Sequence, residues 1–151
     1  AYNIETISSW SLAFTQINQI LSALLGGSFL FLFTLAMADQ DCDAPILLTT
    51  LICAGASTAA LLVFELIQSS YFYELTSSTT PLVEVFPQYP LLIAASTLLL
   101  IAAVILTLLW KRQGRLLSRK CTTIALVLAL GGVFIARFSF YCAYLNVGLV
   151  V

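Results

Sequence analysis

The chain has 151 residues, of which 61% are hydrophobic and 9% charged, with a formal net charge of −1 and a mean hydropathy of +1.05. Soluble domains carry about 25% charged residues, so the natural solvent for this much apolar surface is lipid. The charge balance offers nothing to nucleic acid, and the absence of histidine removes the commonest haem and metal ligand and the usual neutral-pH proton shuttle.

The opening, "AYNIETISSW", has no basic region followed by an apolar run and a small-residue cleavage site. It is not a signal peptide and reads as a stretch from inside a longer sequence. The first apolar run, Ile20 to Ala38, carries no charge, and Gln16, Asn18 and Gln19 lead into it. Within it "SALLGGS" spaces Ser22 from Gly26 and Ala23 from Gly27 by four residues. That spacing lets membrane helices approach closely, so Ser22, Gly26 and Gly27 are expected at a helix contact. "GASTAA" at Gly55 to Ala60 offers the second helix the same device.

An acidic turn, "DQDCDAP", separates the first run from the second, Ala44 to Phe64, which ends at Glu65. A loop from Gln68 to Tyr89 without Lys or Arg follows. The third run is Pro90 to Trp110 and the fourth is Cys121 to Val151, interrupted only by Arg137. Each run matches the ~20 residues that cross a bilayer core. Lipid leaves the backbone only helices or closed barrels, and runs without period-two alternation read as helices. The expected fold is an all-α membrane protein, a four-transmembrane-helix bundle forming one domain, with spans at about 11–38, 45–67, 90–110 and 121–145.

Five of the six basic residues lie between Lys111 and Lys120. The positive-inside rule places that loop in the cytoplasm. Both termini and the Gln68–Tyr89 loop are then expected outside, on the periplasmic face of a bacterial inner membrane. Trp110 falls at the inner boundary, and Trp10, Tyr71, Tyr73, Tyr89 and Tyr144 near the outer one, as an interfacial belt. Cys42, Cys53, Cys121 and Cys142 form no CxxC pair. They read as small apolar residues, and no metal site is expected.

Arg137 lies 16 residues beyond Cys121, ~24 Å along a helix. Glu65 lies 21 residues beyond Ala44, ~32 Å along. Both reach the outer part of the bundle, where Gln16 and Gln19 also enter. A charge inside a span costs ~2.5–3.5 kcal/mol at mid-bilayer. Arg137 therefore either snorkels or pairs with Glu65, or it serves an outward-facing polar pocket or docking surface. Helical spacing sets Arg137, Tyr141 and Tyr144 on one stripe. Glu65 either meets water at its helix end or acts as a buried proton-carrying carboxylate. The candidate polar contacts are Arg137, Tyr141, Glu65 and Gln19, and no catalytic residue is evident.

Several stretches together resemble the second half of the DMSO reductase membrane anchor subunit family, related to polysulfide-reductase and NrfD-type anchors. They are "YNIETISSW", "LLGGSFLFLFTLA", "YELTSSTTPLVEVFPQYPLLIAAST" and "ARFSFYCAYLNVGL". The last is similar to a closing Gly-Arg-x-x-Phe-Tyr-x-x-His-x-x-x-Gly pattern on which Arg137, Phe140, Tyr141 and Gly148 fall. Two departures matter. The family's acidic residue four before the Arg is Val133 here, and its His is Tyr144. The resemblance runs from Tyr2 to about Leu149 and implies four helices of an eight-helix anchor.

Such anchors hold a molybdopterin catalytic subunit and an iron–sulfur subunit on the outer face of the membrane. They pass the electrons of quinol, such as menaquinol, to the iron–sulfur chain in anaerobic respiration. The resemblance further implies that this chain binds no cofactor itself, with the clusters and molybdopterin in the partner subunits. The quinol pocket belongs mostly to the other four helices, so this chain is not expected to be catalytic alone. A competing reading is a small four-helix transporter subunit acting as a dimer, with Glu65 as its proton or cation site. Glu65 sits near a helix end, however, whereas such sites lie at the midplane. A third reading is a scaffold whose helices only assemble others.

Overall fold

The computed structural model describes residues 12–38, 43–76, 87–114 and 117–147. Trp10 and Cys42 lie outside the described residues, as do the side chains of Tyr71, Tyr73 and Tyr144. Four helices account for nearly all of the described chain: α1 (Leu12–Ala38), α2 (Ala44–Thr76), α3 (Tyr89–Arg112) and α4 (Arg119–Val147). Each contains a stretch long and apolar enough to cross a membrane: Gln16–Ala38, Ala44–Ser70, Tyr89–Arg112 and Arg119–Cys142. The described residues are thus all-helical, with four helices long and apolar enough to span a membrane.

Local chemistry sets the helix ends. Leu47 N–H reaches back to Asp43 O at 3.1 Å, and Pro45 sits in the first turn, where a missing N–H costs nothing. Pro90 plays the same part in α3. At the other end of α3, Gln113 N–H bonds Leu109 O and Gly114 N–H bonds Lys111 O. Gly114 there takes φ +68°, the left-handed turn that glycine adopts without a Cβ penalty. Lys111 and Arg112 occupy the last turn, facing the negative end of the helix dipole.

The helices follow one another around the bundle, and α4 closes it by packing on α1. The most extensive contact joins α3 to α4, and the sparsest of the neighbouring pairs is α2 with α3. Cross-helix bonds fix the directions: Asn18 near the start of α1 meets Gln68 near the end of α2, and Ser22 meets Arg137 near the end of α4. Neighbours run antiparallel. The core is a column of Leu25, Phe29, Ala54, Leu61, Leu100, Ala103, Ala125 and Ala129. Large apolar side chains such as Ile20, Leu66, Leu91 and Phe134 point outward, as a lipid-facing surface requires.

Close approach is made where α3 meets α4. A Cβ on Gly132 would stand 2.8 Å from Leu100 Cγ and Cδ2 and 3.2 Å from Ser96 O. Ser96 Oγ uses that proximity to donate to Gly132 O at 3.0 Å. The stripe expected from "SALLGGS" is looser. A Cβ on Gly26 would make an ordinary 3.8 Å contact with Leu130, and one on Gly27 would meet open space, as would one on Gly55.

Candidate functional site

Most hydroxyls in the helices are satisfied within their own helix. Ser28, Thr49, Thr50, Thr58, Thr107 and Ser139 each donate to the carbonyl four residues back, a local solution to the lack of water in lipid. The polar side chains that bond between helices gather in one layer. It lies at the end where α1 and α3 begin and α2 and α4 end, opposite the Lys111–Lys120 loop.

That layer ties all four helices together. Arg137 Nη2 on α4 donates to Ser22 Oγ on α1 at 3.3 Å, and Ser22 Oγ donates to Asn18 O at 2.6 Å. Asn18 Nδ2 donates to Gln68 Oε1 on α2 at 3.2 Å. Ser96 Oγ on α3 lies 3.3 Å from Glu65 Oε1 on α2 and 3.0 Å from Gly132 O on α4. Inside the layer is a cavity of about 20 Å³ lined by Asn18, Ser22, Glu65, Gln68, Tyr89 and Arg137, with apolar side chains closing it. A cavity this size accommodates a water molecule and little more. Two of its acceptors, Asn18 Oδ1 and Glu65 Oε2, are buried without a hydrogen-bond partner.

Of the four polar residues expected from sequence, Arg137 and Glu65 come together around this cavity. They share it without a direct bond, Arg137 having turned to Ser22. Gln19 is exposed on the outside of α1, and Tyr141 is 43% exposed on α4, in edge contact with Phe140. Neither lines the cavity. Tyr89, expected in the interfacial belt, is instead buried at 3% exposure and walls the cavity. Trp110 packs on the core column.

Asn18, Gln68 and Ser96 carry much of the site and were not singled out from sequence as site residues. Asn18 and Gln68 were visible only as polar residues flanking apolar runs. Ser96 had no signal, being one hydroxyl among many. Among the described residues no group of three or more His, Cys, Asp or Glu is placed to hold a metal. Cys53, Cys121 and Cys142 are free, half-buried thiols.

A second, larger space of about 610 Å³ lies between α1 and α2, open on the outside of the bundle. Gly27, Phe31, Pro45, Ile46 and Cys53 line it, and the hydroxyls on its wall (Ser28, Thr49 and Thr50) bond their own helices.

A sequence profile of the DMSO reductase anchor subunit (DmsC) matches residues 1–143. The chain belongs to that anchor family. Neither the curated proteins nor the solved structures give this anchor chain a match. Membership makes it a membrane anchor of the DMSO reductase type, and the four apolar helices are the means of anchoring.

Proposed function

We propose that this chain is the part of a respiratory anchor that holds an iron–sulfur subunit and a molybdopterin catalytic subunit on the outer face of a bacterial inner membrane. In that complex it supports the passage of electrons from quinol to the iron–sulfur partner. The family match over residues 1–143 carries the reading. Charge distribution supports the orientation. Lys111, Arg112, Arg119 and Lys120 mark one end of the bundle, which the positive-inside rule assigns to the cytoplasm. The cross-linked polar layer, and both termini with it, then face outward, toward the docked subunits. The four helices act as one half of an eight-helix anchor.

Among the described residues, neither of the two spaces offers both the room and the free polar hydrogens suited to a quinol headgroup. The polar cavity is water-sized, and the larger groove presents hydroxyls already committed to their own helices. In this reading quinol binding falls mostly to the other helices of the anchor, as the family resemblance implies, and this half supplies rigidity and docking surface.

Native mass spectrometry with iron analysis, on protein gently extracted from its own membrane, tests the assembly. A particle far above 16.4 kDa that carries iron and additional subunits is the expected result. An iron-free monomer or homodimer would overturn the anchor reading and favour the transporter one. Within the complex, Arg137→Ala is expected to lower assembled yield or quinol oxidation. Unchanged yield and unchanged rate would leave Arg137 a snorkelling side chain with no part in the complex.

A further inference from the structure

Hydrogens are scarce around the buried Glu65 carboxyl group, and Ser96 cannot serve both of its neighbours. Ser96 has a single hydroxyl hydrogen, and two acceptors lie within reach of its oxygen: Gly132 O at 3.0 Å and Glu65 Oε1 at 3.3 Å. The shorter contact takes it. An ionised Glu65 would then lose the Ser96 hydrogen, with Thr97 left as a second side-chain partner, and Oε2 is already unpartnered. The side chain is 6% exposed and Ser96 fully buried. A carboxylate with one oxygen unpartnered in such surroundings is costly to ionise.

A proton on the carboxyl group supplies a hydrogen where the Ser96 hydroxyl is already committed. A hydrogen on Glu65 Oε1 is donated to Ser96 Oγ, which donates its own to Gly132 O, and the chain of bonds closes across α2, α3 and α4. What remains is two bare acceptors, Glu65 Oε2 and Asn18 Oδ1, on the wall of one cavity of about 20 Å³. Two acceptors require a donor with two hydrogens, and the volume admits one water. That water's oxygen in turn has a cation beside it, because Arg137 lines the same cavity and spends one of its five N–H donors on Ser22.

We propose that Glu65 is a proton-binding site of the bundle, its carboxyl proton held against Ser96 and one ordered water held between Glu65 and Asn18. The ligands are a proton and a water molecule. The titratable or charged groups facing the site are Arg137 from α4 and Tyr89 from α3. From α1 only Asn18 and Ser22 face it, and from α2 Gln68 accompanies Glu65. The site stands on this chain's own geometry and does not depend on which complex the chain joins.

Infrared spectroscopy of the purified native assembly in lipid, in H₂O and D₂O over a range of pH, tests it. The expected result is a protonated-carboxyl C=O band that moves on deuterium exchange and is lost in Glu65→Gln. Glutamine keeps both a donor and an acceptor in place, so the bundle has reason to tolerate it. Asn18→Leu, which removes the second acceptor of the water, is expected to shift the band. Ser96→Ala is expected to shift it as well, and serves if Glu65→Gln does not accumulate. Absence of a band assignable to Glu65 at every pH where the protein stays folded would overturn the proton site. A band unmoved by Asn18→Leu would overturn the water.

Discussion

The two ends of the bundle solve the same problem in opposite ways. At the end marked by the basic loop, Phe29, Leu32, Thr107, Trp110, Cys121, Thr122 and Ala125 close together with no room for a water molecule. The hydroxyls there bond backward along their own helices. At the other end, side chains reach across from helix to helix and leave a small polar cavity with two unsatisfied acceptors. Dispersion and shape hold the first end. The second is held by hydrogen bonds in a medium where a missing partner is expensive. The cohesion of the polar layer therefore depends on whether its hydrogen bonds are met, and that of the apolar end on fit alone.

The sharpest way to break the contrast is to separate α3 from α4. Gly132→Leu forces a Cβ to within 2.8 Å of Leu100 and against Ser96 O. It is expected to cost about 3 kcal/mol, the upper part of the usual overpacking range, read as a lower unfolding midpoint in detergent. It should also detach Ser96 from Gly132. Ser96→Ala keeps the packing but removes the donor. A loss of about 1–2 kcal/mol is expected in the same assay, and a neutral result would mean that the layer is not held by this hydroxyl.

A double-mutant cycle on Asn18→Leu and Gln68→Leu isolates the α1–α2 bond. Its coupling is expected near 0.6 kcal/mol, about the average for interhelical hydrogen bonds in membranes. Thr107→Val completes the comparison at the apolar end. Its hydroxyl serves only Ala103 O, so a change below about 0.5 kcal/mol is expected. A larger loss there than for Ser96→Ala would reverse the assignment of the two ends.

The spans were legible before any coordinates because lipid imposes a length and a polarity that few other environments do. The helices run slightly longer than the apolar runs alone suggest, α2 reaching Thr76 and α4 starting at Arg119, since polar residues at the interface still complete helical turns. Arg137 and Glu65 were legible as candidate site residues for a related reason: a charge within an otherwise apolar run is conspicuous. Gln19 and Asn18 show where such reading stops. They are adjacent, both polar, and equally placed at the mouth of α1. A rotation of 100° per residue turns Asn18 into the bundle and leaves Gln19 outside. Tyr89 is similar: its position near a membrane boundary suggested a belt residue, and the direction of its ring made it a cavity wall.

Sequence by itself determined the membrane as solvent, the helical class, four spans, the asymmetric distribution of basic charge, and the family through its succession of short stretches. These depend on composition and order along the chain, which burial energetics reads directly. Only the tertiary structure decided that Gly132, rather than Gly26 or Gly27, sits at the close helix approach, and that Ser96 bridges α2 and α4. The same structure decided that Arg137 and Glu65 share a cavity without bonding each other. Helical phase and the choice of neighbour set those relations. Both emerge from how four helices fit together, and neither is written in any one of them.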